Sequence, residues 1–220
     1  VLLVPPIMLV KEKYSMISLK IKNLNRITKF ILVCIYFFSS SALSDENQII
    51  KSIEKEWNQT QTLAGKFLQR SGDDSVVSGD FFIEKPYKSR FIYHNQSQNI
   101  ITSKYFINFV DDESHLLERY PIINQPIYKL FSEDIYFNNI FEIKSINQNQ
   151  AETIIELFTK DNIDSNAVKI TLTFHSSGYL LKKWEIVDAL GQSTYLEFTN
   201  IRKNISIDQN LFNFKEKVEY

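Results

Sequence analysis

The sequence predicts a mainly β protein with a few α-helices: an incomplete antiparallel β-barrel of about eleven strands under a short helical lid. Three observations predict it. Apolar side chains alternate with polar ones almost without a break from Leu63 to Ile201. Turn residues punctuate that alternation at hairpin spacing, as in SGDD after Arg70, SSG before Leu180 and ALG before Thr194. Helical spacing appears at the start and in two short interruptions. Period two means strands with one face turned inward, and short links mean antiparallel neighbours. A sheet of that many strands curls or closes.

Residues 1–44 stand apart from the fold. From Met16 a cationic stretch carries Lys20, Lys22, Arg26 and Lys29, an apolar run follows from Phe30 to Phe38, and SSSALS ends it. That order is the layout of a cleavable secretory signal peptide over residues 16–44, with Ala42 and Ser44 as the small residues before the cut. The apolar run is shorter than the ~20 residues a spanning helix needs. Residues 1–15 precede a better start at Met16 and are read as an upstream start artefact. Cys34 lies inside the apolar run, after Val33 and before IYFF, which is a poor setting for a lipid anchor. Cleavage would leave a single domain over residues 45–220 with no cysteine, in keeping with a periplasmic location. That part holds 19 basic and 25 acidic side chains, and it has no basic block of the kind nucleic acid requires.

The elements follow in order. Asp45–Asn58 reads as a helix, with Asp45 able to cap it and Ile49, Ile50, Ile53 and Trp57 at helical spacing. Strands are expected at Leu63–Arg70, Gly79–Lys85, Arg90–His94, Asn99–Thr102, Phe106–Asp111 and His115–Arg119. The second series is Phe141–Asn147, Glu152–Thr159, Ala167–Phe174, Leu180–Val187 and Thr194–Ile201. Between the two series, Pro126–Asn139 places Ile127, Leu130 and Phe131 at helical spacing and reads as a short helix or two. Asp208–Phe212 looks like a cap and one helical turn.

Alternation sorts the strand residues into two faces. Phe67, Phe81, Ile83, Phe91, Tyr93, Phe141, Ile143, Ile170, Leu172, Phe174, Trp184, Ile186, Leu196 and Phe198 share the apolar one. Eleven strands curled around two or three short helices enclose more space than those helices fill, so this face is expected to line an apolar ligand cavity. Packing into an ordinary core is the competing reading for each of these residues. Lys85 and Arg90 flank the proline corner in GDFFIEKPYKSRFIY and place cations at the rim of the sheet. Alternation puts Arg90 on the opposite face.

Catalytic chemistry is not legible. His94, His115 and His175 have no partner at metal-ligand spacing, and Asp111, Asp112 and Glu113 read as a solvated turn. Neither a nucleophile elbow nor a phosphate-cradling glycine loop is present. The chain is therefore read as a non-enzyme without cofactor or metal.

Several segments together resemble the lipoprotein carrier (LolA) family of the bacterial periplasm. Gly79–Tyr93 has its basic residue, proline and aromatic strand, and LAGKFLQR over 63–70 resembles its first strand with a Phe-x-Gln element. Gln125–Leu130 resembles its proline-led lid. WEIVDALGQSTYLEFTNI over 184–201 resembles its late hairpin, and DQNLFNF over 208–214 its terminal Phe-x-Phe pattern. The resemblance implies a polar tether between sheet and lid at Lys85 and Arg90, with Leu130 and Phe131 on the lid side. One departure is that Lys85 stands where the better-known members carry arginine, which keeps the charge but loses the planar fork. The resemblance implies a soluble, monomeric shuttle that shields the acyl chains of lipoproteins. Its implied partners are an inner-membrane lipoprotein-release transporter and an outer-membrane lipoprotein acceptor. A periplasmic lipid or glycolipid binder, the acceptor itself, and a fully packed envelope protein are the alternatives.

Overall fold

In a computed structural model, residues 45–71, 75–122, 126–160, 168–187 and 190–216 are described. The expected signal peptide and Cys34 lie outside the described residues, as do Gln125 and Asp188 of the resembling segments. Residues 45–59 are helical (α1). Asp45 is thus itself a helical residue, not the cap expected of it.

All eleven expected strands form, most with ends one to three residues from those read in the sequence. They are β1 (Thr62–Ser71), β2 (Val76–Glu84), β3 (Lys88–Tyr93), β4 (Asn99–Thr102), β5 (Phe106–Val110) and β6 (Leu116–Pro121). The second series is β7 (Phe141–Gln148), β8 (Glu152–Thr159), β9 (Lys169–His175), β10 (Leu181–Val187) and β11 (Ser193–Lys203). They make one antiparallel sheet in the order β6-β5-β4-β3-β2-β1-β11-β10-β9-β8-β7. Each series is a meander of hairpins, and β1 joins the two by pairing with β11. The sheet does not close, so the fold is an incomplete barrel with β6 and β7 as its edges.

The chain between those edges supplies the lid. Pro126–Phe131 is a 3-10 turn and α2 (Phe137–Ile140) is a single helical turn, so the interruption reads correctly as two short pieces. α1 is fastened to it by side-chain bonds. Trp57 Nε1 donates to the Leu130 carbonyl at 2.7 Å, and Asn58 Oδ1 accepts from the Ile135 amide at 2.9 Å. Glu54 Oε1 accepts from the Phe137 amide at 2.8 Å.

The C-terminal segment crosses the outside of the first meander. Asp208 Oδ1 accepts from the Asn210 amide at 3.0 Å and so caps the 3-10 turn Gln209–Phe212. Farther on, the Leu116 amide donates to the Lys215 carbonyl at 2.8 Å, and the Lys215 amide to that of Ser114 at 2.7 Å. Arg119 stacks between the rings of Phe106 and Phe214, 5.3 Å from each, and its Nε donates to Asn108 Oδ1. This strap covers the outer face of β3–β5.

Candidate functional site

A cavity of about 600 Å³ opens on the inner face of the sheet. Register explains its walls. Phe91, Ile100 and Phe109 lie in one row across β3, β4 and β5, and Ser89, Thr102 and Ile107 in the next. Gln69, Leu196 and Trp184 make a row across β1, β11 and β10, followed by Ser71, Thr194 and Ile186. All of these residues line the space, with Tyr93 and, from the lid side, Ile122 and Phe131. Its surface is mostly hydrocarbon and ring, with hydroxyl and amide groups interspersed. Among the described residues lining it, none is charged.

An aromatic layer forms the floor. Phe67 meets Phe91 and Tyr93 edge-on, with ring centroids 5.3 and 5.1 Å apart. Phe81 meets Phe198 at 4.9 Å, Phe198 meets Trp184 at 4.7 Å, and Trp184 meets Phe131 at 6.0 Å. Gly79 makes this layer possible, because a Cβ there would stand 2.5 Å from the Phe67 ring and 2.0 Å from the Ile92 carbonyl oxygen. No other residue fits that close approach.

Of the fourteen apolar residues of that face, the structure brings Phe91, Tyr93, Trp184, Ile186 and Leu196 to the cavity, and Ile143 is half-exposed on β7 away from it. The other eight are corrected to core. Phe67, Phe81 and Phe198 lie beneath the cavity in the aromatic layer, and Ile83 is buried beside them. Phe141, Ile170, Leu172 and Phe174 are sealed on the far side of the barrel. The physical reason there is filling from above. Phe137 of α2 rests on Phe141 at 6.3 Å, and Ile50 and Ile53 of α1 are buried. Sequence reasoning missed Gln69, Ile100, Ile107 and Phe109. Parity within β5 groups Ile107 with Phe109, but that this face meets the cavity follows only from the pairing of Ile100 with Phe91 and of Phe109 with Ile100.

Lys85 follows β2 directly and is 8% exposed. It is no solvated strand end. Its Nζ donates to the Trp57 carbonyl at 2.5 Å, at the C-terminal end of α1, where helix-end carbonyls favour a cation. Burial pulls its pKa down to about 8, against an upward pull from Asp134. The link from sheet to lid is therefore relayed: Lys85 holds the backbone of Trp57, and the Trp57 indole holds Leu130. A second link is the Tyr87 amide donating to the Phe131 carbonyl at 2.9 Å. Leu130 and Phe131 are both buried, and Phe131 also faces the cavity.

Arg90 is corrected from lid tether to strap tether. Its two terminal nitrogens donate to the Leu211 carbonyl at 3.0 Å and to Ser114 Oγ at 3.1 Å. Period-two alternation turns it away from Phe91, toward the outer face that the strap covers. Its Nε is buried without a partner among the described residues, and burial lowers its pKa.

Residues 58–215 match the family described as outer membrane lipoprotein carrier protein LolA. An outer-membrane lipoprotein carrier protein of Wigglesworthia glossinidia brevipalpis is 27% identical over 199 residues, which cover 87% of this chain and 93% of the relative. Among solved structures, a LolA superfamily protein from Nitrosomonas europaea aligns at a TM-score of 0.40 and 12% identity, over 74% of this chain and 96% of that one. An uncharacterized conserved protein from Thermus thermophilus aligns at 0.46 and 8% identity, over 78% and 94%.

Proposed function

The chain belongs to the outer membrane lipoprotein carrier family, and on that premise we propose that it carries acylated lipoproteins through the periplasm, from an inner-membrane lipoprotein-release transporter to an outer-membrane acceptor. The single observation behind this reading is an apolar cavity of about 600 Å³ inside a sheet whose sequence matches that family. Ligand pockets commonly span about 300–1,000 Å³.

Acyl chains gain about 0.8 kcal/mol for each CH₂ withdrawn from water. A carrier must offer that shelter and still release its cargo. What it regulates is the difference in affinity between a covered and an uncovered cavity. The lid fits the task because polar links (Lys85 to Trp57, Trp57 to Leu130, Tyr87 to Phe131) join it to the sheet alongside its ring contacts with Trp184 and Phe141. Breaking them uncovers the cavity without disturbing the sheet ladder. In this reading cleavage after Ser44 releases a soluble monomer to the periplasm, and no covalent chemistry is involved. The residues proposed to touch cargo are Phe91, Tyr93, Ile100, Ile107, Phe109 and Trp184.

Native mass spectrometry of the protein isolated from the periplasm tests the reading. A bound triacylated lipoprotein is expected. Free lipid alone would make the chain a lipid binder of the same fold, and an unliganded mass throughout would favour a structural role.

A further inference from the structure

The polar groups of the cavity differ in whether the protein already uses them. Ser89 Oγ and Thr102 Oγ1 stand 2.7 Å apart, and Thr102 donates to the Tyr87 carbonyl at 3.1 Å. Ser193 Oγ donates to Glu185 Oε1 at 2.8 Å. Those hydroxyl protons are committed. Gln69 differs, because the partner it has fixes which end of its amide is spoken for. The Tyr93 hydroxyl lies 2.9 Å from Gln69 Oε1 and donates to it. Burial raises the Tyr93 pKa to about 12, so the phenol keeps its proton at any pH at which the protein works. With the oxygen accepting from Tyr93, the amide turns its NH₂ group, with two donors, the other way.

Both residues line the cavity. Their surroundings are apolar, with the Phe67 ring 5.1 Å from that of Tyr93 and Leu196 paired opposite Gln69. A donor set into such a wall needs an acceptor, since a polar group covered by hydrocarbon without a hydrogen bond is costly. The chemistry narrows the acceptor. A phosphate would call for cations, and none is among the described lining residues. A ligand hydroxyl would also bring its own proton into this wall, where Gln69 Oε1 already accepts from Tyr93 and the neighbouring groups are apolar. A carbonyl only accepts, and in an acyl ester or amide it sits directly at the head of the hydrocarbon chain.

We infer that Gln69, held in orientation by Tyr93, is a specificity-determining residue that donates from Nε2 to the carbonyl oxygen of an acyl ester or amide. The assignment rests on the acyl-carrier reading above and adds to it the point at which the head of a chain is recognised. It also gives Tyr93 a task beyond contributing a ring to the wall.

The test uses two lipids of equal chain length, dioctanoylglycerol with ester carbonyls and dioctylglycerol with ether links. Affinities are read by calorimetry for the wild type, Gln69→Leu and Tyr93→Phe. Wild type should prefer the ester by about fivefold, the scale of one net hydrogen bond. Gln69→Leu should bring the ratio to about one while still binding the ether lipid, which shows that the cavity is intact. Tyr93→Phe should fall between, because the amide is no longer held. Equal binding of both lipids by wild type, or an ester preference kept by Gln69→Leu, overturns the assignment. Wild type binding neither lipid would sink the carrier reading, and the assignment with it.

Discussion

β8–β9 and β4–β5 have similar alternating sequences but opposite burial. In β8 and β9 the inward residues Ile155, Leu157, Ile170 and Leu172 are fully buried, and outward residues such as Glu156 and Thr171 are half-exposed. In β4 and β5 the inward residues Ile100, Ile107 and Phe109 are the half-exposed ones. Outward Ile101, Asn108 and Val110 are sealed instead. Cover decides which face becomes core. α2, held by α1 through Glu54, packs on the inside of the second meander, while the strap from Asp208 to Lys215 covers the outside of the first. What is left between them is the cavity. The sealed inner face thus belongs to β7–β9, while the open space lies between β3–β5 and the β1, β11 and β10 rows.

The largest effect is expected from truncating the filled half. Leu172→Ala should destabilise by about 2–5 kcal/mol, because a sealed leucine leaves a cavity its neighbours fill only partly. Ile107→Ala, facing space that is already empty, should cost under about 1 kcal/mol by the same reasoning. Urea unfolding of both variants measures the contrast, and equal losses would erase the distinction between the halves.

Next in size is the pH dependence at Lys85, which sharpens how the lid is held. Its folded pKa is about 8, against 10.5 for the free side chain. Between those values the unfolded chain binds more protons than the folded one, so the contribution of this site to stability rises with pH across that window. Wild type should therefore gain on Lys85→Met by up to about 3 kcal/mol from pH 8 to 10.5. A constant difference across the window would mean that Lys85 is better solvated than its burial implies.

A smaller loss should follow from Arg90→Leu, which frees the Leu211 carbonyl and Ser114 hydroxyl. About 1–2 kcal/mol is expected, partly offset because the unpartnered Nε also disappears. Hydrogen exchange should quicken at Leu116 and Lys215, whose amides close the strap, and stay slow in β8 and β9. Uniform quickening would show that the strap and the filled half are one unit.

Strand positions were legible because a period of two runs through most strands, although β1, β7 and β10 carry register shifts that alternation does not show. Phe91, Tyr93 and Trp184 were legible as cavity residues for the same reason. What separates them from Leu172 or Phe174 is not parity but cover, and cover comes from residues distant in sequence. Arg90 makes the point. Its outward direction could be read from alternation, but its partner Leu211 lies 121 positions away. Lys85 was legible as a cation near a lid, yet its partner is the Trp57 carbonyl, a backbone group that no pattern of side chains discloses.

The most direct measurement of the hollow half as the acyl site is a blocking substitution read by binding. Ile107→Trp places a large ring in the cavity from a position with room to receive it. Wild type and variant are titrated with a triacylated lipopeptide and with the same peptide lacking acyl chains. Wild type should bind only the acylated form, and Ile107→Trp should bind it at least about tenfold more weakly while unfolding near the wild-type temperature. Undiminished affinity in the folded variant, or equal binding of the two peptides by wild type, would contradict the account.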